Sequence, residues 1–349
     1  MQVGRWLVFG LVLLLANGSP GRADFVININ PGANLAANPA ALAAFNRAAD
    51  QWEARITSNA TITIDANLAK LGTGILGQAG STQWYVPYDL LRTALVNDAT
   101  QPGKSILASL PVTPPSFITP ASSTYTFDSS WFIATQANLK VLGIPFTPTA
   151  SDANITFTTR TGISFDFDNS NGVTSGAYDF ETVAAHEIGH ALGFVSSVDD
   201  IDYYLSNPYP GTPEVNPYVL DLFRFATTTH PTNGAEFASF SRDLTPGVVS
   251  NFDDTVNRFR FSTGAYTGDG NQASHWKADD ITGSYIGIMD PTLSPGTIGP
   301  ITEADWRALA LIGYDVVAVP EPGSLALTTV VLVGWVLGAR RRRVTSASR

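Results

Sequence analysis

Asp179-Phe180-Glu181-Thr182-Val183-Ala184-Ala185-His186-Glu187-Ile188-Gly189-His190-Ala191-Leu192-Gly193-Phe194 is the stretch on which the reading of this chain turns. Asp179 is a helix N-cap residue followed by good helix formers, which predicts a helix over 180–192. Residues four apart share a helical face, so His186 and His190 can aim imidazole nitrogens at one metal ion, with Glu187 beside them to reach a water on that metal. With 4 His and 7 Glu in 349 residues, chance yields H-E-x-x-H on the order of one time in a thousand. Two histidines merely satisfied in a core would leave Glu187 a costly unpaired charge beside them.

Gly193 stands three residues after His190, and the segment His186-Glu187-Ile188-Gly189-His190-Ala191-Leu192-Gly193-Phe194 resembles the metzincin metallopeptidases. In that family the glycine ends the active-site helix and turns the chain towards a third ligand. The usual ligand position, six residues after the second histidine, is here Ser196, so a third donor must come from elsewhere.

Further along stand Ala273-Ser274-His275-Trp276, then Gly287-Ile288-Met289-Asp290-Pro291, then Thr302-Glu303-Ala304-Asp305-Trp306 opening a helix to Ile312. This order is similar to that of leishmanolysin-like metzincins, in which an insertion separates the helix from a distant His-Trp, a methionine turn and a final helix. The resemblance implies His275 as third ligand and Met289, the sole methionine besides Met1, as a pedestal beneath the metal. Asp199 and Asp200 are acceptable rival ligands that read as loop carboxylates. Glu214 lies between Thr212-Pro213 and Asn216-Pro217, which argue against the helix its role would need. His230, before Pro231, reads as a surface-loop histidine.

Composition sets the frame for this motif. Hydrophobic residues make up 44% of the chain, enough for an ordinary core. The net charge of -10 argues against phosphate-backbone binding, so no nucleic-acid partner is expected. The absence of cysteine excludes disulfide scaffolds, thiolate zinc sites, cysteine nucleophiles and a cysteine that could hold a zinc latent.

Both ends read as address labels. Residues 1–23 carry Arg5, the apolar run Trp6 to Ala16 and a small-polar stretch ending Gly21-Arg22-Ala23, the three parts of a secretory signal peptide cleaved before Asp24. Val319-Pro320-Glu321-Pro322-Gly323 precedes the apolar stretch Ser324 to Ala339 and then Arg340 to Arg343. That arrangement resembles a PEP-CTERM sorting signal, which implies export, inner-membrane contact through the apolar segment and processing by an exosortase. The arginines should stay on the cytoplasmic side. An ordinary C-terminal anchor is the rival reading, and both place the domain in the envelope or outside the cell. Without the two labels, residues 24–318 keep 13 basic against 29 acidic residues, which favours solubility.

Between the labels, Asn38-Pro39 and the spacing of Ala41, Leu42, Phe45, Ala48, Ala49 and Trp52 predict a helix over 40–56. Residues 60–64 alternate as a strand, 65–80 read as glycine-rich turns, and 88–97 as a short helix. Residues 98–150 read as loops and short strands, and 154–158 and 162–167 as strands. Asp166, Asp168 and Asn171 suggest a Ca2+ loop only weakly, because Gly172 is out of EF-hand register.

The expected fold is a mixed α/β, metzincin-like catalytic domain spanning 24–318. A twisted N-terminal sheet with two long helices fills 24–193, and an irregular subdomain ending in a helix fills 194–318. The expected function is an exported zinc endopeptidase holding one catalytic Zn2+, with Glu187 as general base and a peptide or protein as substrate. An extended peptide is expected to pair with a strand near Gly162 to Phe167. The alternative is a non-catalytic envelope or matrix protein that retains the domain for binding.

Overall fold

The computed structural model describes residues 25–207 and 209–317. The signal-peptide and sorting-segment readings at 1–23 and 319–349 lie outside the described residues. Within them the chain is mixed α/β, with nine α-helices and six small sheets, and no helix is long and apolar enough to cross a membrane.

The largest sheet has four strands in the order Val26–Pro31, Thr61–Ala69, Ala153–Thr158, Gly77–Ser81. The first three are parallel and the last runs antiparallel along the edge. Alternation drives the second strand: Ile62, Ile64, Ala66 and Leu68 are buried while their neighbours face out. It runs five residues past the expected end, because Asp65 and Asn67 hold outer-face positions and find partners there. Asn30 donates to Asp65 at 2.7 Å, and the Asn67 amide oxygen accepts from the backbone of Asn34 and Leu35.

Two helices cover one face of this sheet. Pro39–Glu53 starts where Asn38 accepts from the Ala41 N–H, with proline at a position where its missing N–H costs nothing. It buries Ala41, Ala44, Phe45, Ala48, Ala49 and Trp52, the stripe of a helix lying on a core. Phe45 meets Phe157 of the sheet, and Phe157 meets Phe180 at the head of the second helix, Phe180–Ala191. Trp52 donates from Nε1 to the Ala185 carbonyl at 3.0 Å, fixing the two helices against each other.

Two expectations need correction. The strand expected over 162–167 shrinks to Phe165–Asp166, paired in parallel with Tyr178–Asp179. Phe165 and Phe167 both pack on Phe180, so most of the apolar alternation reflects side-chain packing, with a ladder at only two residues. Conversely, Gly77–Ser81, which begins inside the stretch read as turns, is the edge strand. Glycine has low strand propensity, yet in strands it marks places where another group comes close, and here that group is Glu187.

Residues 98–150 contain short strands as expected, and also the helix Gln136–Val141: Trp131–Thr135 pairs with Gln83–Pro87, and two-residue strands at 117–118 and 126–127 pair with the second half of the chain. The helix Tyr88–Asp98 matches its sequence reading within one residue. In the second half, a three-stranded antiparallel sheet and the helix Val198–Ser206 lead to the final helix Glu303–Leu311, capped by Thr302. One apolar core unites both halves; Trp276 sits in it between Phe194 and Phe261.

Candidate metal centre

Asp179 accepts from the Thr182 N–H and hydroxyl, which starts the helix bearing His186, Glu187 and His190 about two turns before the site. The helix ends in a Schellman turn: Gly193 N–H donates to the His190 carbonyl and Phe194 N–H to that of Gly189. Gly193 has φ +110°, a conformation that strains any residue with a Cβ. The same turn swings the Phe194 carbonyl back to His190 Nδ1 at 2.8 Å. A helix terminator thus also orients a side chain of the site.

His275 arrives from the far end of the insertion. Its Nε2 lies 3.1 Å from His186 Nε2 and 3.2 Å from His190 Nε2, and the two helix histidines are 3.2 Å apart. Each ring's other nitrogen faces a backbone carbonyl: Ile288 for His186 at 2.7 Å, Phe194 for His190 at 2.8 Å and Gln272 for His275 at 3.1 Å. A carbonyl only accepts, so each Nδ1 carries the proton and each Nε2 presents a lone pair. Burial pushes His186 down to about 4, and burial with the neighbouring histidine pushes His190 down to about 3. Burial and both partners hold His275 well below the usual imidazole range.

Three neutral lone pairs pointing at one spot repel one another unless a cation sits among them. Bonds of about 2.0–2.1 Å in a tetrahedral zinc site would place ligand nitrogens about 3.3 Å apart, close to the separations here, so the donor set fits zinc. Among the described residues these three are the only cluster of potential metal ligands brought together. The weakly supported Ca2+ reading finds its carboxylates otherwise engaged: Asp166 accepts from Thr174 and Asp168 from Ser170, a hydrogen-bonded turn.

Glu187 and the three histidines line a cleft of about 910 Å³. Burial raises the Glu187 carboxyl to about 8. Its side chain lies against Gly77, where an added Cβ would come within 2.5 Å of Oε1. At the far end of the edge strand, Ser81 donates to the His190 carbonyl at 3.0 Å. Edge strand and helix are therefore adjoining walls of one cleft.

Met289 is fully buried, with its thioether packed against Gly189 on the helix between the two histidines. Its carbonyl accepts from Trp276 N–H at 2.9 Å. Asp305, legible in the sequence only as a helix-opening residue, gathers this region: its carboxylate accepts from Trp276 Nε1, Ile288 N–H and Thr302 N–H at 2.7–2.8 Å. The one sequence signal for it is its place in the first turn of a capped helix.

The rival ligands lie elsewhere. Asp199 and Asp200 open the helix Val198–Ser206 instead of sitting in a loop, and Asp199 bonds the backbone just before His275. Glu214 is exposed on a two-residue strand. His230 pairs with Asp253 at 2.5 Å. Ser196, at the position of the usual third ligand, donates its hydroxyl to Asp221.

The chain matches no family model, no curated protein and no solved structure.

Proposed function

We propose that the protein is an exported zinc-dependent endopeptidase with a metzincin-like fold. The observation that carries this reading is the convergence of His186, His190 and His275, each with its proton held on Nδ1 by a backbone carbonyl, next to the carboxylate of Glu187 in an open cleft. Zinc, when bound, supplies the Lewis acidity that makes water nucleophilic near neutral pH and polarises a carbonyl. His186, His190 and His275 would hold it as neutral donors. Glu187 would take the proton of the attacking water as general base and deliver it to the leaving amine nitrogen.

Substrate binding builds on the edge strand. Gly77–Ser81 bonds to the sheet on one side only and borders the cleft on the other. An extended peptide adding to it would be fixed by main-chain pairing, with little demand on side chains. The order H-E-x-x-H, glycine turn, distant His-Trp, methionine turn and final helix supports the metzincin-like reading. The leader and the Pro-Glu-Pro segment support export and processing by an exosortase-type enzyme.

The test is hydrolysis of casein by the purified mature chain. Cleavage that stops with a chelator and returns with zinc is expected. A zinc-loaded chain that leaves casein and other unfolded proteins intact would overturn the peptidase reading in favour of a binding role.

A further inference from the structure

We infer that Asp199 is a positioning residue for the third histidine: its carboxylate clamps the backbone at Ala273 and Ser274 so that His275 faces His186 and His190 before any metal binds. The inference rests on the metal-site reading above and adds to it the device that completes the site.

His275 lies 85 residues beyond His190, so bringing it to the helix costs loop-closure entropy that folding must cover. The helix Val198–Ser206 begins five residues after Gly193, and its first turn is anchored where Asp221 accepts from the hydroxyls of Ser196 and Ser197. From that turn Asp199 Oδ1 accepts the Ala273 N–H at 2.5 Å. Oδ2 accepts the Ser274 N–H at 3.0 Å and the Ser274 hydroxyl. Ser274 Oγ in turn accepts the Ser196 N–H at 2.9 Å.

Arg224 holds the first of these two residues, Ala273, through its carbonyl. Its guanidinium is buried over the Phe261 ring and donates to the Ala273 carbonyl at 2.5 Å. Both N–H groups and one carbonyl of Ala273–Ser274 are thereby fixed immediately before the ligand. All of these bonds are within the chain, so none depends on a metal. A rigid approach of this kind lowers the ordering cost of binding, as outer partners of metal ligands do elsewhere.

The experiment measures zinc affinity by chelator competition, and the visible spectrum of the cobalt-substituted full-length chain, for wild type, D199A, D199N, S274A and H275A, with thermal unfolding recorded for each. D199A is expected to weaken zinc binding about 10- to 100-fold and to alter the cobalt spectrum at an unfolding temperature that still reports a folded chain. D199N keeps one accepting oxygen and should recover part of the loss, and S274A should show a smaller loss of the same kind. Should D199A fail to fold, S274A and D199N carry the comparison. Wild-type affinity and spectrum in the folded Asp199 and Ser274 variants, with binding lost in H275A, would overturn the clamp while leaving the metal site standing. Equal zinc binding in wild type and H275A would instead remove the metal-site reading, and the clamp with it.

Discussion

The Glu187 carboxylate occupies the space that a side chain on Gly77 would need, its Oε1 within 2.5 Å of where a Cβ would stand. A residue without a side chain is therefore present where Glu187, the proposed base, lies against the edge strand. Gly77→Ala should push Glu187 off its line without touching a ligand. Peptide hydrolysis is expected to fall on the order of 10- to 100-fold at unchanged zinc content. Activity equal to wild type would show that the base tolerates displacement.

Glu187→Gln keeps the volume and removes the base. Hydrolysis should drop by about 10²- to 10⁴-fold, while zinc stoichiometry by metal analysis stays near that of wild type. Comparable turnover in the two proteins would take Glu187 out of the chemistry.

His275→Ala leaves two imidazoles. Zinc affinity should fall by more than the roughly 10- to 100-fold that loss of an outer partner costs. His230→Ala, paired with Asp253 away from the cluster, should leave zinc binding as it is. Isothermal titration of both variants checks the contrast, and retained full affinity in His275→Ala would refute the assignment.

Zinc removal should cost stability as well as activity. A metal that binds only the folded chain adds about 2.7 kcal/mol when its free concentration is a hundredfold above Kd. The unfolding midpoint should therefore drop on chelation and return with zinc. No shift in a calorimetric scan, despite bound zinc, would mean that the folded and unfolded chains hold the metal equally.

Processing near Pro320-Glu321-Pro322 should leave the form outside the cytoplasm without Arg340 to Arg349. Intact-mass measurement of that form decides between removal and a plain anchor that keeps the arginines.

The amino-acid sequence by itself determined the features that local periodicity dictates. The capped helix at 180–192, the pairing of His186 with His190 and the stripe of Pro39–Glu53 depend only on 3.6-residue geometry and caps within a few residues. Tertiary structure decided whatever depends on a distant neighbour. Gly77–Ser81 lacks strand propensity and is a strand because Ala153–Thr158 supplies its ladder and Glu187 its close approach. Residues 162–167 alternate like a strand, yet only Phe165–Asp166 forms one, while Phe165 and Phe167 pack on Phe180. Asp199, a rival ligand by composition alone, instead holds the backbone before His275, because folding places the helix Val198–Ser206 beside Ala273. The approach of His275 to the helix pair to within 3.2 Å is likewise fixed by buried hydrogen bonds and aromatic packing among residues far apart in the chain, which no local spacing encodes.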